Sequence, residues 1–456
     1  MASQELKLTK WKTAAYGSLA LPLATIGLPL SIYLAPFYAG ELGLPLAVLG
    51  IAMVLARLSD VITDPIIGMA SDNLRTRFGR RRVWIPPGIA VIIVGVWFLF
   101  NPVAPVDIYY FVFWIAVVYL GFTLVQLPYQ AWGGELTQDY NGRTRVASVR
   151  QAFGLVGLIV ATTLPAIVLQ QKGATAGDVL HALALLMMVL LPLCGAIVFF
   201  FVPEPAPVIG ERRVSFRQGL RVVSKNGPFK AIVLALFLGY VAETFRITIT
   251  LFFARDAIGV PNIGLIYVFY FFTGLLAVPF WNWLATRIGK HKALAFAFFI
   301  VVATNTAVFF LQYGQVTLFT IIFMAKGFCF GALELLPAAL VADAVDVDTA
   351  RSRARRQGLF FAFVTMTNKI GQAIGQGLSL ILLGAIGYKA AGGNAPETIA
   401  NMKILYGLGP ALLLIPGIWI MWHYRLTAAR HKRLSGAIKR RDEKAEAIGA
   451  AGMLAG

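Results

Sequence analysis

The chain has 456 residues, of which 58% are apolar and only 13% charged, with a mean hydropathy of +0.75. It is too apolar for a soluble globular domain, and its long unbroken runs exclude a β-barrel, whose strands alternate apolar and polar residues. Its net charge of +19 does not point to nucleic acid, because 32 of the 40 Lys and Arg fall in one set of alternate loops and four in the other. That asymmetry puts the basic loops and both termini in the cytoplasm.

Apolar runs of roughly 20 residues or more, the length that crosses a bilayer, recur near 14–38, 44–70, 83–102, 107–132, 148–170, 179–203, 229–254, 262–285, 292–312, 315–345, 357–387 and 403–425. The predicted fold is an all-α membrane protein of twelve transmembrane helices. Lys7, Lys10 and Lys12 precede a first run that is already span-length, so no cleavable signal peptide is expected. In that run Pro22 and Pro29, with Gly17 and Gly27, suit either a bent cavity-lining helix or an ordinary packing kink.

The second run and its loop read RLSDVITDPIIGMASDNLRTRFGRRR over 57–82. Asp60 and Asp64 are four residues apart, so on a helix they share one face. Two carboxylates at membrane depth are costly unless protonated, paired with a cation or turned to a wet cavity. We read them as the coupling site of a transporter. Arg57, three residues before Asp60, offers a structural ion pair as the alternative. The five arginines 75, 77, 80, 81 and 82 anchor the cytoplasmic side. Asp72, Arg75, Arg77 and Arg80 are expected either to form gating ion pairs there or to act as a plain topological anchor. Further on, FTLVQLPYQAWGGELTQDYNGRTR sets Thr123 and Gln126 at helical spacing before Pro128. Arg150 opens the fifth span as a snorkelling anchor or a substrate ligand.

The chain then repeats itself. TRFGRRR at 76–82 returns as TRIGKHK at 286–292, and Arg143 and Arg145 return at the same 210-residue offset as Arg353 and Arg355. Two six-helix pseudo-repeats are predicted, 1–203 and 229–427. A cytoplasmic middle loop, 204–228, joins them, and a tail, 428–456, follows. Parallel repeats of this kind are found in major facilitator transporters, with the transport site between the halves near the bilayer midplane. The second half buries charges of its own: Glu243 and Arg246 in the seventh span, Lys326 and Glu334 in the tenth, Lys369 in the eleventh. Ionisable residues at membrane depth are functional candidates, although Glu243 and Arg246 are also spaced to form a purely structural pair.

Four stretches, RLSDVITDPIIGMASDNLRTRFGRRRVWI, LPYQAWGGELTQDYNGRTRV, LVADAVDVD and TMTNKIGQA, resemble the glycoside–pentoside–hexuronide:cation symporter family of the major facilitator superfamily. The resemblance covers most of the chain. It implies that Asp60, Asp64, Thr123 and Thr63 bind a coupling Na⁺, Li⁺ or H⁺, that Lys369 stands near that cation, and that Arg150 stands at the sugar. The sugar-facing positions depart from the family's melibiose-transporting members: Ala24 and Gln126 stand for two aspartates, Gln130 and Glu334 for two tryptophans.

No nucleotide-binding G-x-x-x-x-G-K-[ST] is present, the four histidines lack ligand spacing, and Cys194 and Cys329 sit in apolar runs, so neither an enzyme nor a resident cofactor is expected. The expected function is Na⁺- or H⁺-coupled symport of a sugar-like solute by a monomer in the plasma (inner) membrane. The expected partners are a small molecule, a monovalent cation and the lipid bilayer. Gln126, Gln130, Arg150, Glu243, Arg246, Glu334 and Lys369 are the candidate substrate residues. Their cationic and amide groups suit an anionic hexuronide; a neutral glycoside is the alternative if Arg246 and Lys369 are engaged elsewhere. Transport of a lysolipid or other amphiphile, and a non-transporting receptor or scaffold, are the remaining readings.

Overall fold

The computed structural model describes residues 9–74, 76–77, 79–137, 140–204, 216–352, 357–427 and six further positions up to 440. Among them the chain is helical, with no strand beyond a single bridging pair, Thr76 and Gly79. The long helices of the first half are α1 (Lys10–Ile32), α2 (Leu46–Asp72), α3 (Ile85–Phe100), α4 (Ile108–Glu135), α5 (Tyr140–Val168) and α6 (Ala176–Phe201). Those of the second are α7 (Gly227–Phe253), α8 (Ile263–Ile288), α9 (Lys290–Phe309), α10 (Val316–Ser352), α11 (Gln357–Ala385) and α12 (Pro396–Trp422).

Eleven helices are long and apolar enough to cross a membrane. The twelfth, α11, has the length, 29 residues, but Asn368, Lys369, Gln372 and Gln376 interrupt its apolar surface. Three helices outrun the apolar stretches that predicted them: α5 starts at Tyr140 rather than 148, α10 ends at Ser352 rather than 345, and α12 starts at Pro396 rather than 403. Hydropathy reports only the part of a helix in hydrocarbon, whereas i→i−4 bonding continues into water. Polar caps set other ends. Asp107 accepts from Tyr110 N, Asn226 from Phe229 N and Asn262 from Leu265 N, while Thr175 and Asp178 form a reciprocal capping box before α6.

The halves meet closely at one end of the bundle. A Cβ on Gly50 of α2 would lie 2.8 Å from the Gly377 carbonyl of α11, so only glycine permits this approach. At the pseudo-equivalent seam, Gly264 of α8 abuts the backbone of Ala166 on α5, and Asn262 Nδ2 donates to the Ala166 carbonyl at 2.7 Å. At the other end, which carries the basic loops, two ion pairs lie within a half: Arg80 pairs with Glu135 at 2.7 Å, and the equivalent Lys290 pairs with Asp343 at 2.7 Å. Among the described residues, the tight glycine seams between the halves thus lie at the end away from the basic loops.

Candidate functional site

The acidic helix is locally irregular. Ser59 Oγ donates back to the Ala56 carbonyl at 2.6 Å, a bond that bends helices, and Pro65 removes the amide that would reach the Val61 carbonyl. Between these breaks Asp60 and Asp64 face α4 and α11. Lys369 Nζ lies 2.6 and 2.9 Å from the two oxygens of Asp64 and 3.1 Å from Asp60 Oδ2. Thr123 Oγ1 donates to Asp64 Oδ1 at 3.0 Å. Arg57 reaches Asp60 Oδ2 at 3.5 Å, packs its guanidinium over the Tyr119 ring, and donates across the halves to Gln372 Oε1 at 2.9 Å. Two buried oxygens of α2 have no hydrogen-bond partner, Asp60 Oδ1 and Thr63 Oγ1. Two carboxylates, the Thr123 hydroxyl and the Lys369 ammonium thus meet at one point. The Arg57–Asp60 pair exists, but it leaves Asp64 to Lys369.

A second cluster lies across the gap on α7 and α10. Arg246 is fully buried. It bonds Glu243 at 2.5 Å and reaches Thr250 and the Tyr406 hydroxyl. Lys326 also approaches Glu243, at 3.4 Å, and donates to Asn305 Oδ1 at 2.8 Å. The carboxylate of Glu243 is thereby held by two cations, and breaking such a buried set by removing one partner costs about 3–5 kcal/mol. In front of it opens a cavity of about 270 Å³. Its wall carries the rings of Tyr240, Tyr267, Tyr270 and Phe271, the amides of Asn368 and Gln372, and two carboxylates, Glu243 and Glu334. Leu28 and Leu158 complete it from the first half. Among the described residues Glu334 has no ion-pair partner, and the buried Tyr267 hydroxyl has no hydrogen-bond partner.

The predicted residues therefore separate into groups. Asp60, Asp64, Thr123 and Lys369 come together, while the Thr63 hydroxyl is buried on the same helix without a hydrogen-bond partner. Glu243, Arg246 and Glu334 line the cavity. Lys369 was expected beside substrate as well, but its ammonium is engaged by the acidic pair. Gln126 and Gln130 are exposed on α4 and are not among the residues that line this cavity. Arg150 is also outside: it packs within hydrogen-bonding reach of the Tyr16 hydroxyl inside the first half. Of the expected gating residues, Asp72 binds Arg81 at 2.5 Å and Arg80 binds Glu135, both inside one half; Arg75 lies outside the described residues. Sequence reading missed Glu204, whose carboxylate accepts from the backbone amides of Arg80, Arg81 and Arg82, a capping arrangement at the start of α3. It also missed Asn368 and Gln372, which flank Lys369 at helical spacing.

Two pseudo-symmetric six-helix halves, closed at one end around an acidic pair and an aromatic cavity, define a multi-pass membrane carrier of the major facilitator kind. The chain belongs to the MFS/sugar transport protein family, which it matches over residues 15–428. It is a transporter of the symporter class and not an enzyme. It is 25% identical to an uncharacterized symporter, sll1374, of Synechocystis sp., over 94% of this chain and 96% of that one. It is 23% identical to the isoprimeverose transporter of Lactiplantibacillus pentosus (82% and 80% covered). It is also 23% identical to the sodium-dependent lysophosphatidylcholine symporter 1 of Xenopus tropicalis (92% and 87%). In fold it is similar to a bacterial homolog of the human lysosomal transporter Spinster in an inward-facing, unoccupied conformation, with a TM-score of 0.66 at 12% identity over 91% of this chain and 97% of that one.

Proposed function

We propose that the protein couples a monovalent cation, Na⁺ or H⁺, to the movement of a neutral, hydroxyl-rich solute of the glycoside class. The observation that carries this is the Lys369 ammonium seated between Asp60 and Asp64 beside the unpartnered Oδ1 of Asp60. An ammonium is a tethered monovalent cation, and a free Na⁺ or a proton placed there would release it. The basic loops border the end away from the glycine seams, and on this reading that end and both termini lie on the cytoplasmic side. Cation entry neutralises the acidic pair, frees Lys369 from the first half, and lets the halves rock about the cavity.

The anionic-substrate reading loses its support. Arg246 and Lys326 are bound to Glu243 and Lys369 to the acidic pair, while Glu334 adds to the cavity a carboxylate with no ion-pair partner among the described residues. Rings beside carboxylates and amides stack and hydrogen-bond a neutral sugar, and no arginine there is left free to take a uronide. The isoprimeverose-transporting relative supports the glycoside class; the lysophosphatidylcholine symporter keeps an amphiphile as the competing cargo. Asp64→Asn is expected to abolish cation-driven accumulation in proteoliposomes while leaving downhill exchange of the same solute measurable. Accumulation against a gradient by that variant would remove Asp64 from the coupling site.

A further inference from the structure

Arg57 is shared between the halves. Its Nη1 faces Asp60 within α2, and its Nη2 donates to Gln372 Oε1 on α11. Gln372 Nε2 in turn donates to Asn368 Oδ1, one turn earlier on α11, at 2.6 Å. Both amides line the central cavity. An unbroken series of polar contacts thus runs from a carboxylate of the acidic pair to the cavity wall.

The direction of these bonds is dictated by chemistry. Arginine can only donate, so Gln372 must present its oxygen to Arg57. Its NH₂ group is then left for the Asn368 oxygen, which leaves the Asn368 NH₂ as a donor in the wall that Asn368 shares with Tyr240. The pattern of donors and acceptors at the cavity wall follows from where Arg57 is held.

We propose that Gln372 is a positioning residue that transmits occupancy of the cation site to the solute cavity. This rests on the cation-coupled reading above and extends it to a residue outside the cation site. With no coupling ion, Arg57 and Lys369 together offset two carboxylates. A cation between Asp60 and Asp64 makes that cluster one positive charge in excess. Lys369 leaves, and the hold of Asp60 on Arg57 weakens. The Arg57–Gln372 bond then loosens, and the Gln372 amide rotates to offer its NH₂ to a solute hydroxyl instead of to Asn368. Linkage makes the effect reciprocal: a solute bonded to the freed amide raises cation affinity by the same factor.

The test is equilibrium binding of nitrophenyl xylosides, glucosides and galactosides to the full-length protein in detergent, with Na⁺, with Li⁺ and without either, each at an acid and an alkaline pH. In the unaltered protein, Na⁺, Li⁺ or the proton is expected to tighten binding of at least one probe by a coupling factor in the usual range of about 5- to 150-fold. In Gln372→Leu the ratio of cation-bound to cation-free probe affinity should fall below about twofold, whatever the change in cation-free affinity itself. Gln372→Glu keeps the acceptor for Arg57 but cannot donate to Asn368, and should also lose coupling. A purely structural Gln372 would weaken probe binding equally with and without cation, and that result overturns the relay. If Gln372→Leu does not fold, Asn368→Leu removes the other end of the relay, and full coupling in that variant overturns it equally. Binding of no probe, or binding indifferent to every cation in the unaltered protein, sinks the glycoside or coupling reading itself, a failure distinct from that of the relay.

Discussion

Glu334 illustrates how a single residue sets what the cavity accepts. It stands on α10 among rings, with Tyr240, Asn368 and Gln372 for neighbours and no ion-pair partner among the described residues. A solute carboxylate brought within about 4 Å of it meets a repulsion between roughly 1 kcal/mol, as in water, and 4 kcal/mol, as near a protein surface. Neutral parent sugars are therefore expected to compete for uptake at least about fivefold better than their uronides, because 1.4 kcal/mol corresponds to tenfold. Glu334→Gln should narrow that gap to near parity by removing the charge and keeping the shape. Equal competition by both classes in the unaltered protein would sink the neutral-solute reading and leave the coupling site standing. Lysophosphatidylcholine in the same panel separates the amphiphile from the glycoside.

At the scale of the element, the helices reveal what a sequence can and cannot express. Asp60 and Asp64 were legible because four-residue spacing places them on one face wherever the helix goes. The twelve long helices and the 210-residue repeat were legible for the same reason, since hydropathy and loop charge are local quantities. Glu135 and Glu204 were not, because their roles depend on which loop packs against them across more than fifty residues of chain. Gln372 and Asn368 look like ordinary polar interruptions until α2 is laid beside α11. That seam is itself testable. Gly377 faces Val54 so tightly that an added Cβ would sit 2.1 Å from Val54 Cγ2 and 3.0 Å from the Gly50 carbonyl. Gly377→Val should cost about 1–3 kcal/mol of overpacking in the state seen here and none where the seam is open. Uptake should fall, and an impermeant thiol reagent added outside should label Ala47→Cys faster. Unchanged uptake and labelling would mean that the seam does not separate during transport.

For the whole molecule, the two seams and the two clusters of ion pairs make one argument. α2–α11 and α5–α8 occupy equivalent places in the two halves, so closing one end treats both halves alike. At the basic end, Arg80–Glu135 and Lys290–Asp343 occupy equivalent places too, but each lies inside its own half. These pairs stiffen the halves as bodies and do not latch them together, which is what rocking about a central site requires. If that is how the protein works, tying the closed end must stop it. Ala47 Cβ lies 3.3 Å from a Cβ built on Gly384, close to the roughly 3.5–4.5 Å that a disulfide spans. The native Cys194 and Cys329 are buried and leave the oxidation selective. Ala47→Cys with Gly384→Cys should transport when reduced and stop when oxidised, with activity restored by dithiothreitol. In the oxidised form a third cysteine, Leu158→Cys on the first-half wall of the cavity, should still react with an impermeant thiol reagent from the cytoplasmic side and not from outside. Continued uptake by the crosslinked protein would mean that solute crosses without parting this seam. Labelling only from outside would invert the assignment of the basic loops to the cytoplasm.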